Sequence, residues 1–198
     1  MTMYDHWKDL TSGGGWVTEP STDTQYRITQ KEGRTFLDFQ SASSKKDWWM
    51  SFWFWKRAVP FTHSVRAHAG FLKKCLSVVK RIEEDLAALQ ADKITIRGYS
   101  KGGALAVLCG MYFSFETEKV ITFGAPRVVN KDPFSSVFYT NSRVYVSGDI
   151  VCNLPPRLFG YTLPGYPIRL GPKRIPRPKW HNDKQYTLHL EERVWKNG

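Results

Sequence analysis

One stretch decides the fold: Ile94-Thr-Ile-Arg-Gly-Tyr-Ser-Lys-Gly-Gly-Ala-Leu-Ala106. The β-branched residues at its start predict a short strand over 94–96, and the segment from Gly98 to Gly102 predicts a sharp turn. Residues 104–113 are almost all apolar, which predicts a helix that is buried on several sides. A strand, a sharp turn and a buried helix form the setting in which Gly-x-Ser-x-Gly carries a nucleophilic serine, here Ser100.

Ser100 needs help from its surroundings to react. A serine hydroxyl is a poor nucleophile unless a base removes its proton and preorganised donors meet the developing oxyanion. In an elbow of this kind the flanking glycines let neighbouring backbone pass closely, and the N–H of the next residue, here Lys101, can face the oxyanion. A glycine-rich structural turn is the alternative, and the strand before the turn and the helix after it favour the nucleophile.

The segments before the elbow show a hairpin and a helix. Residues 26–29 and 34–39 predict two strands joined by a turn at Lys31-Glu32-Gly33, where the glycine supplies a positive φ. Apolar residues at helical spacing over 71–89, with charged residues between them, predict an amphipathic helix. A short first helix is possible within residues 1–10.

Two further β-rich runs follow the elbow, at 120–123 and 144–146, and each ends in turn residues. Short apolar strands that alternate with helices predict a mostly parallel central sheet flanked by helices, an α/β class fold in a single domain over 1–198. In such sheets ligands bind beyond the carboxyl ends of the strands, where Ser100, Gly124 and Asp149 fall. The Gly- and Pro-containing segments 11–19 and 165–178 are predicted loops.

Composition narrows the class of protein. The chain of 198 residues is 41% hydrophobic and carries 29 Lys and Arg against 18 Asp and Glu, a formal charge of +11. The hydrophobic content excludes a disordered chain. The positive charge attracts polyanions, and its possible meanings are, in order of preference, a solubilising surface, binding to anionic lipid headgroups and binding to nucleic acid. Three widely spaced cysteines predict no disulfide framework. No signal peptide or membrane-spanning segment is recognised, which makes the cytoplasm the default expectation, with peripheral membrane association or release on lysis as further possibilities.

Five motifs in order over about residues 35–156 make the chain resemble the class 3 (fungal-type) lipases of the α/β-hydrolase fold. They are the elbow from Gly98 to Ala106, the run from Leu37 to Trp48, Val65-Arg-Ala-His-Ala-Gly-Phe71, Ile121-Thr-Phe-Gly-Ala-Pro-Arg127 and Ser147-Gly-Asp-Ile-Val-Cys-Asn-Leu-Pro-Pro156. The ending His181-Asn-Asp-Lys-Gln-Tyr186 is similar to that of short bacterial and phage members. The resemblance implies a serine hydrolase that acts on lipid esters.

A triad needs a histidine near the serine and a carboxylate that holds the other ring nitrogen. His181 and His189 lie downstream of Asp149, as the chain order Ser, Asp, His requires. His181 is favoured because it follows a loop and can turn towards the elbow, whereas His189 stands among leucines in a possible helix.

Asp149 is the preferred carboxylate because it follows an apolar strand and matches the aspartate of the family's segment. Asp132 and Asp183 are weaker alternatives, since both lie in polar loops. His68 falls on the family's His-x-Gly-Phe motif, for which the resemblance implies a structural or lid-contacting role.

The second oxyanion donor is expected from the loop after Phe39. By resemblance it is the backbone N–H of Ala42, although Phe39-Gln-Ser-Ala42 replaces the family's usual glycine followed by Ser or Thr. Lys101 stands where the family commonly has leucine, which predicts a cation beside the site.

Six aromatic residues within eight form the other unusual feature, Trp48-Trp-Met-Ser-Phe-Trp-Phe-Trp55, with lysine and arginine on both sides. Tryptophan favours membrane interfaces, and basic flanks attract anionic headgroups. We predict a lid or lipid-facing patch made of Trp48, Trp49, Phe52, Trp53 and Trp55. The alternative is that Trp48 and one or two others fill the core.

The sequence therefore predicts hydrolysis of lipid carboxylic esters through an acyl-enzyme on Ser100, with no metal or organic cofactor required. The expected partners are a lipid or small ester substrate and an anionic membrane surface. A soluble carboxylesterase or deacylase is the alternative within the class. A catalytically degenerate membrane-binding protein is the alternative from another class. A nucleic-acid binder comes last, because no helix-turn-helix, zinc spacing or stacking motif accompanies the charge.

Overall fold

The computed structural model describes residues 1–40, 55–62, 64–131, 140–162 and 164–197, with side chains as far as residue 194. The described chain contains four α-helices: α1 (Met3–Thr11), α2 (Ala69–Ala88), α3 (Lys101–Tyr112) and α4 (Asp183–Asn197). Its strands are β1 (Val17–Glu19), β2 (Thr24–Lys31), β3 (Arg34–Phe39), β4 (Lys56–Ala58), β5 (Arg66–His68), β6 (Ile94–Tyr99), β7 (Thr117–Phe123), β8 (Thr140–Val146) and β9 (Tyr166–Leu170).

Seven of these strands form one sheet in the order β1-β2-β3-β6-β7-β8-β9. The pairs from β3 to β9 are parallel, and β1, β2 and β3 are antiparallel neighbours. Strands β4 and β5 form a separate two-stranded sheet. The predicted mostly parallel sheet is confirmed, and its carboxyl edge gathers the turns that follow β3, β6, β7, β8 and β9.

The predicted hairpin joins β2 to β3 through a two-residue turn. Glu32 and Gly33 both have positive φ, 52° and 71°, as the turns that match the twist of paired strands require. The same pairing places Arg27 opposite Asp38, two charged residues that lie inside the protein.

Helices cover both faces of the sheet, because side chains alternate along each strand. On β7, Val120 packs in the cluster that contains the apolar residues of α2 and α3. Its neighbours Ile121 and Phe123 pack in a second cluster with Trp7 of α1 and Tyr186 of α4. The helix that follows the elbow therefore lies on one face, and the two terminal helices lie on the other.

Two segments predicted as loops contain edge strands. Val17–Glu19 forms β1 within 11–19, and Tyr166–Leu170 forms β9 within 165–178. The loop prediction for 165–178 was wrong at β9 because it gave weight to Pro167, and proline lacks an N–H and disfavours central strands. An edge strand has a side without a partner, and there a proline is tolerated.

The remaining predicted elements are confirmed with shifted ends. Helix α2 begins two residues before the predicted start, α3 begins directly at Lys101, and β6 continues through Gly98 to Tyr99. Cys75, Cys109 and Cys152 are buried and free. Within the described ranges, no helix is long and apolar enough to cross a membrane.

Candidate active site

Ser100 occupies the sharp turn between β6 and α3. Its backbone has φ 53° and ψ −121°, a conformation that a residue with a side chain rarely adopts. A Cβ at Gly98 would lie 2.2 Å from the carbonyl oxygen of Gly102, and one at Gly102 would lie 2.3 Å from that of Phe39. Only glycine fits at these two positions, so the turn has the close backbone packing expected of a nucleophile elbow.

The hydroxyl of Ser100 meets the imidazole of His181. The Oγ–Nε2 distance is 2.7 Å. A short 3-10 helix, Pro178–Trp180, ends at His181, and the ring stacks on Tyr99 with centroids 5.1 Å apart and planes 19° apart. Tyr99, the residue that precedes Ser100, therefore helps to fix the orientation of the ring.

Asp149 holds the opposite nitrogen of that ring. Its Oδ2 lies 2.8 Å from His181 Nδ1, and its Oδ1 accepts a hydrogen bond from the Val151 N–H at 2.9 Å. Asp149 is 2% exposed. Because an ionised carboxylate only accepts, Nδ1 must carry the proton, and Nε2 is left to accept from Ser100.

Tyr186 completes the surroundings of Asp149, a role that the sequence analysis did not assign. Its hydroxyl donates to Asp149 Oδ2 at 2.6 Å and accepts from the Val146 N–H at 3.3 Å. Burial, followed by the nearby Cys152 and Asp149, raises the pKa of Tyr186 well above its ordinary value. The hydroxyl therefore keeps its proton and remains a donor to the carboxylate.

The position of Tyr186 depends on the terminal helices. Its ring stacks on Trp7 of α1 at 5.4 Å and meets Tyr99 edge-on at 5.4 Å. Gly124 makes room for its hydroxyl, since a Cβ there would lie 2.7 Å from the Tyr186 oxygen. The only available sequence signal was its place at the end of the His181 to Tyr186 segment.

The competing histidines have other partners. His189 lies on α4, with Nδ1 3.0 Å from Glu192 and Nε2 3.2 Å from Arg174. His68 precedes α2 and accepts from the Gly70 N–H at 3.2 Å. His189 and His68 therefore contact other groups, whereas His181 reaches Ser100.

The alternative carboxylates were Asp183 and Asp132. Asp183 is exposed at the start of α4, where its Oδ1 accepts from the Lys184 N–H. Asp132 lies outside the described residues.

Lys101 is the first residue of α3, so its N–H points out of the helix end beside Ser100. This is the position from which an elbow residue donates to an oxyanion. Its side chain is buried, and its Nζ lies 3.4 Å from the carbonyl oxygen of Asp23. The second expected donor, Ala42, lies outside the described residues.

A crevice of about 580 Å³ opens next to His181. Phe39, Gln40 and Tyr99 line it from the carboxyl ends of β3 and β6, and Trp16 lines it from the loop before β1. Thr11, Gln40, Asn182 and Asp183 add polar groups to the wall. The crevice next to His181 therefore offers both aromatic surface and hydrogen-bonding groups.

Most of the aromatic segment lies outside the described residues, including Trp48, Trp49, Phe52 and Trp53. Trp55 is described and is 70% exposed, directly before β4. Within the described part of the chain, no group of three or more His, Cys, Asp or Glu side chains is arranged to hold a metal ion.

The sheet, the elbow and the turns at its carboxyl edge define an α/β-hydrolase fold. Residues 36–159 match the family model described as lipase (class 3). The chain belongs to the class 3 lipase family.

Individual relatives agree with this assignment. The chain is 33% identical over 117 residues to a lipase of Rhizopus niveus, covering 50% of this chain and 29% of that protein. It is 33% identical over 112 residues to a secreted mono- and diacylglycerol lipase of Malassezia globosa, covering 52% of this chain and 36% of that protein. The chain thus spans about a third of the length of these curated relatives.

Among solved structures, a lipase from Rhizopus microsporus var. chinensis superposes with a TM-score of 0.68 and 26% identity. The match covers 81% of this chain and 62% of that structure.

Proposed function

We propose that this chain is a serine hydrolase that cleaves carboxylic esters of lipids through an acyl-enzyme on Ser100. One observation carries the proposal: hydrogen bonds run from Ser100 Oγ to His181 Nε2 at 2.7 Å and from His181 Nδ1 to Asp149 Oδ2 at 2.8 Å. The arrangement supports the roles of nucleophile, general base and orienting carboxylate for these residues.

In the first half-reaction His181 Nε2 takes the hydroxyl proton as Ser100 Oγ attacks the ester carbonyl carbon. Asp149 stays ionised and stabilises the imidazolium that forms. The oxyanion accepts a hydrogen bond from the Lys101 N–H, with Ala42 as the second proposed donor. When the tetrahedral intermediate collapses, the C–O bond to the alcohol breaks, and His181 returns its proton to the departing alkoxide oxygen.

In the second half-reaction water replaces the alcohol. His181 removes a proton from the water as its oxygen attacks the acyl carbon, and the same donors hold the second oxyanion. Collapse breaks the bond to Ser100 Oγ, which regains the proton from His181. The acid is released and the serine is restored.

Lipid esters are the proposed substrates for two reasons. The relatives that the chain resembles are named lipase and mono- and diacylglycerol lipase. The crevice beside His181 contains Trp16, Phe39 and Tyr99, whose rings can contact an acyl chain, together with polar groups that can contact the ester or headgroup. Acylglycerols and phospholipids both fit this description.

A membrane-facing role for the aromatic segment remains part of the proposal. Trp55 is 70% exposed, and an exposed tryptophan favours the boundary between headgroups and acyl chains. Kinship with the short bacterial and phage members of the family, organisation as a single domain and a cytoplasmic or membrane-peripheral location stay predictions.

Labelling with a fluorophosphonate tests the proposed chemistry directly. The wild type should be labelled and Ser100→Ala should not, with kcat lowered by about 10⁶-fold in the variant. Both proteins should be compared on esters of increasing acyl length, presented as monomers and as micelles. Equal thermal unfolding of the two proteins is the control for folding.

The outcomes separate the alternatives. Faster turnover on micellar long-chain esters supports a lipase, and activity confined to soluble short-chain esters supports a carboxylesterase or deacylase. A folded wild type that is neither labelled nor active would contradict the proposal and favour a catalytically degenerate membrane-binding protein.

A further inference from the structure

A second feature lies beside the proposed site, on the segment that joins β9 to α4. We call residues 171–179 the basic loop; their sequence is Gly-Pro-Lys-Arg-Ile-Pro-Arg-Pro-Lys, with four cationic residues and no carboxylate. Lys173, Arg177 and Lys179 are exposed. Among the described residues, none of these three forms an ion pair with a carboxylate.

The basic loop is fastened to the turn that carries Asp149. The Arg174 N–H donates to Ser147 Oγ at 3.2 Å, and the Arg177 N–H donates to the Gly148 carbonyl oxygen at 2.9 Å. Gly148 has φ 83°, and a Cβ there would lie 2.9 Å from the carbonyl oxygen of Ile175. This close packing, together with the three prolines of the loop, presents its side chains in a preorganised arrangement.

One cation of the loop faces inwards. The Arg174 guanidinium lies 4.1 Å from the centre of the Trp180 ring and contacts His189. The other three cations are exposed on the same loop as Ile175, which is 73% exposed, and the Nζ of Lys179 lies 4.6 Å from the centre of the Trp180 ring. An exposed branched aliphatic residue on a loop with three exposed cationic residues combines the two signals that peripheral membrane binding uses.

We propose that the basic loop is a docking surface for membranes that contain anionic phospholipids, with Ile175 entering the boundary between headgroups and acyl chains. The proposal rests on the proposed function, because it assumes that the substrate esters lie in such a surface. It concerns residues other than those of the aromatic segment.

The location of the loop links docking to catalysis. The loop ends two residues before His181, and the next residues, Asn182 and Asp183, line the crevice together with His181. A membrane bound at the loop therefore lies next to the mouth of the crevice. The exposed Ile175 favours lipid over nucleic acid, since an aliphatic side chain offers no stacking surface for a base.

Sedimentation with vesicles tests the docking surface without turnover. The Ser100→Ala protein is mixed with phosphatidylcholine vesicles, with or without phosphatidylglycerol, at low and at high ionic strength. Binding should require phosphatidylglycerol and should weaken as salt is added. Replacing Lys173, Arg177 and Lys179 together by glutamine should weaken binding by about 100-fold, roughly fivefold for each cation.

A matched triple variant carries the same change in net charge on a remote surface. Lys73, Lys80 and Arg81 are exposed on α2, and their replacement by glutamine should leave vesicle affinity within about twofold of the parent protein. Ile175→Ser should weaken binding by about tenfold, a loss that persists at every salt concentration at which binding is measurable.

Three results would overturn the docking surface: equal losses in the two triple variants, binding that is indifferent to phosphatidylglycerol, or tighter binding to duplex DNA than to the anionic vesicles at equal salt. Failure of the proposed function gives a different result, namely no fluorophosphonate labelling and no hydrolysis of a soluble short-chain ester by the wild type. The basic-loop variant with Ser100 intact should keep wild-type turnover of that soluble ester.

Discussion

Among the described residues, Asp149 and Asp38 are the two aspartates that are almost completely buried, and their side-chain partners differ in kind. Asp149 accepts hydrogen bonds from His181, from Tyr186 and from the Val151 N–H. Asp38 on β3 accepts from Arg27 at 3.0 Å and from Arg97 at 2.7 and 3.0 Å. Burial alone therefore does not distinguish a candidate catalytic carboxylate from a structural one.

The chemistry of the partners makes the distinction. A guanidinium keeps its proton at every relevant pH, so the cluster of Asp38, Arg27 and Arg97 is a fixed arrangement of charges that joins β2, β3 and β6. An imidazole can gain and lose a proton near neutral pH, so Asp149 can stabilise the charge that appears on His181 during the proposed reaction. Arg97 directly precedes Gly98, and the fixed cluster therefore braces the strand that leads into the elbow.

The largest expected effect comes from Asp149→Asn, which keeps the shape of the side chain and removes its charge. An amide can hold the wrong tautomer of His181, and kcat should fall by about 10⁴-fold. The free energy of unfolding should stay close to that of the wild type. Steady-state turnover of a soluble ester and urea unfolding are measured for both proteins. A kcat within tenfold of the wild type would contradict the proposed role of Asp149.

Asp38→Asn should show the reverse pattern. It leaves the buried Arg27 guanidinium without a carboxylate partner and leaves Arg97 with only Asp9, at 3.7 Å. The free energy of unfolding should therefore fall by about 3–5 kcal/mol. The folded fraction should keep its kcat. Lys31→Gln is the control, because it breaks the exposed pair of Lys31 with Asp9 and should cost at most about 1 kcal/mol. A loss of kcat in Asp38→Asn with an unchanged free energy of unfolding would contradict the structural role assigned to Asp38.

Tyr186→Phe should have a smaller effect on turnover. It removes the hydroxyl that donates to Asp149 and leaves the ring among Trp7 and Tyr99, and kcat should fall by about tenfold while KM stays nearly constant. Tyr4→Phe is the matched control, since the Tyr4 hydroxyl donates to Glu191 on the same helix, α4. An equal loss in both variants would indicate a general effect of helix packing.

A last prediction concerns stability in acid near the fixed cluster. Burial, followed by the charges of Arg97 and Lys119, lowers the pKa of His6 to about 4. Between pH 6.5 and 4 the unfolded chain binds a proton at His6 that the folded protein does not, so the free energy of unfolding falls as pH falls. His6→Gln should flatten this part of the stability curve. Urea unfolding at several pH values measures it, and parallel curves for the two proteins would contradict the assigned cause.

The local patterns predicted their own elements well. The strand, turn and helix around Ser100 follow from residues that are neighbours in the chain. The helix over 71–89 follows from the spacing of its apolar residues, because that spacing places them on one face. The edge strand β9 was missed, since its pairing depends on β8 and not on its own residues. The partners of Asp38 were missed for the same reason, because Arg27 and Arg97 lie on different strands.

The sequence by itself determined the elbow, the order of Ser100, Asp149 and His181, the parallel sheet and the family, because these depend on short patterns and their order along the chain. Only the tertiary structure decided which histidine reaches the serine, that Tyr186 donates to Asp149, and that the basic loop is fastened beside the crevice. These depend on distances of about 3 Å between residues that are tens of positions apart. Such distances are set by how helices and strands pack, which no short pattern specifies.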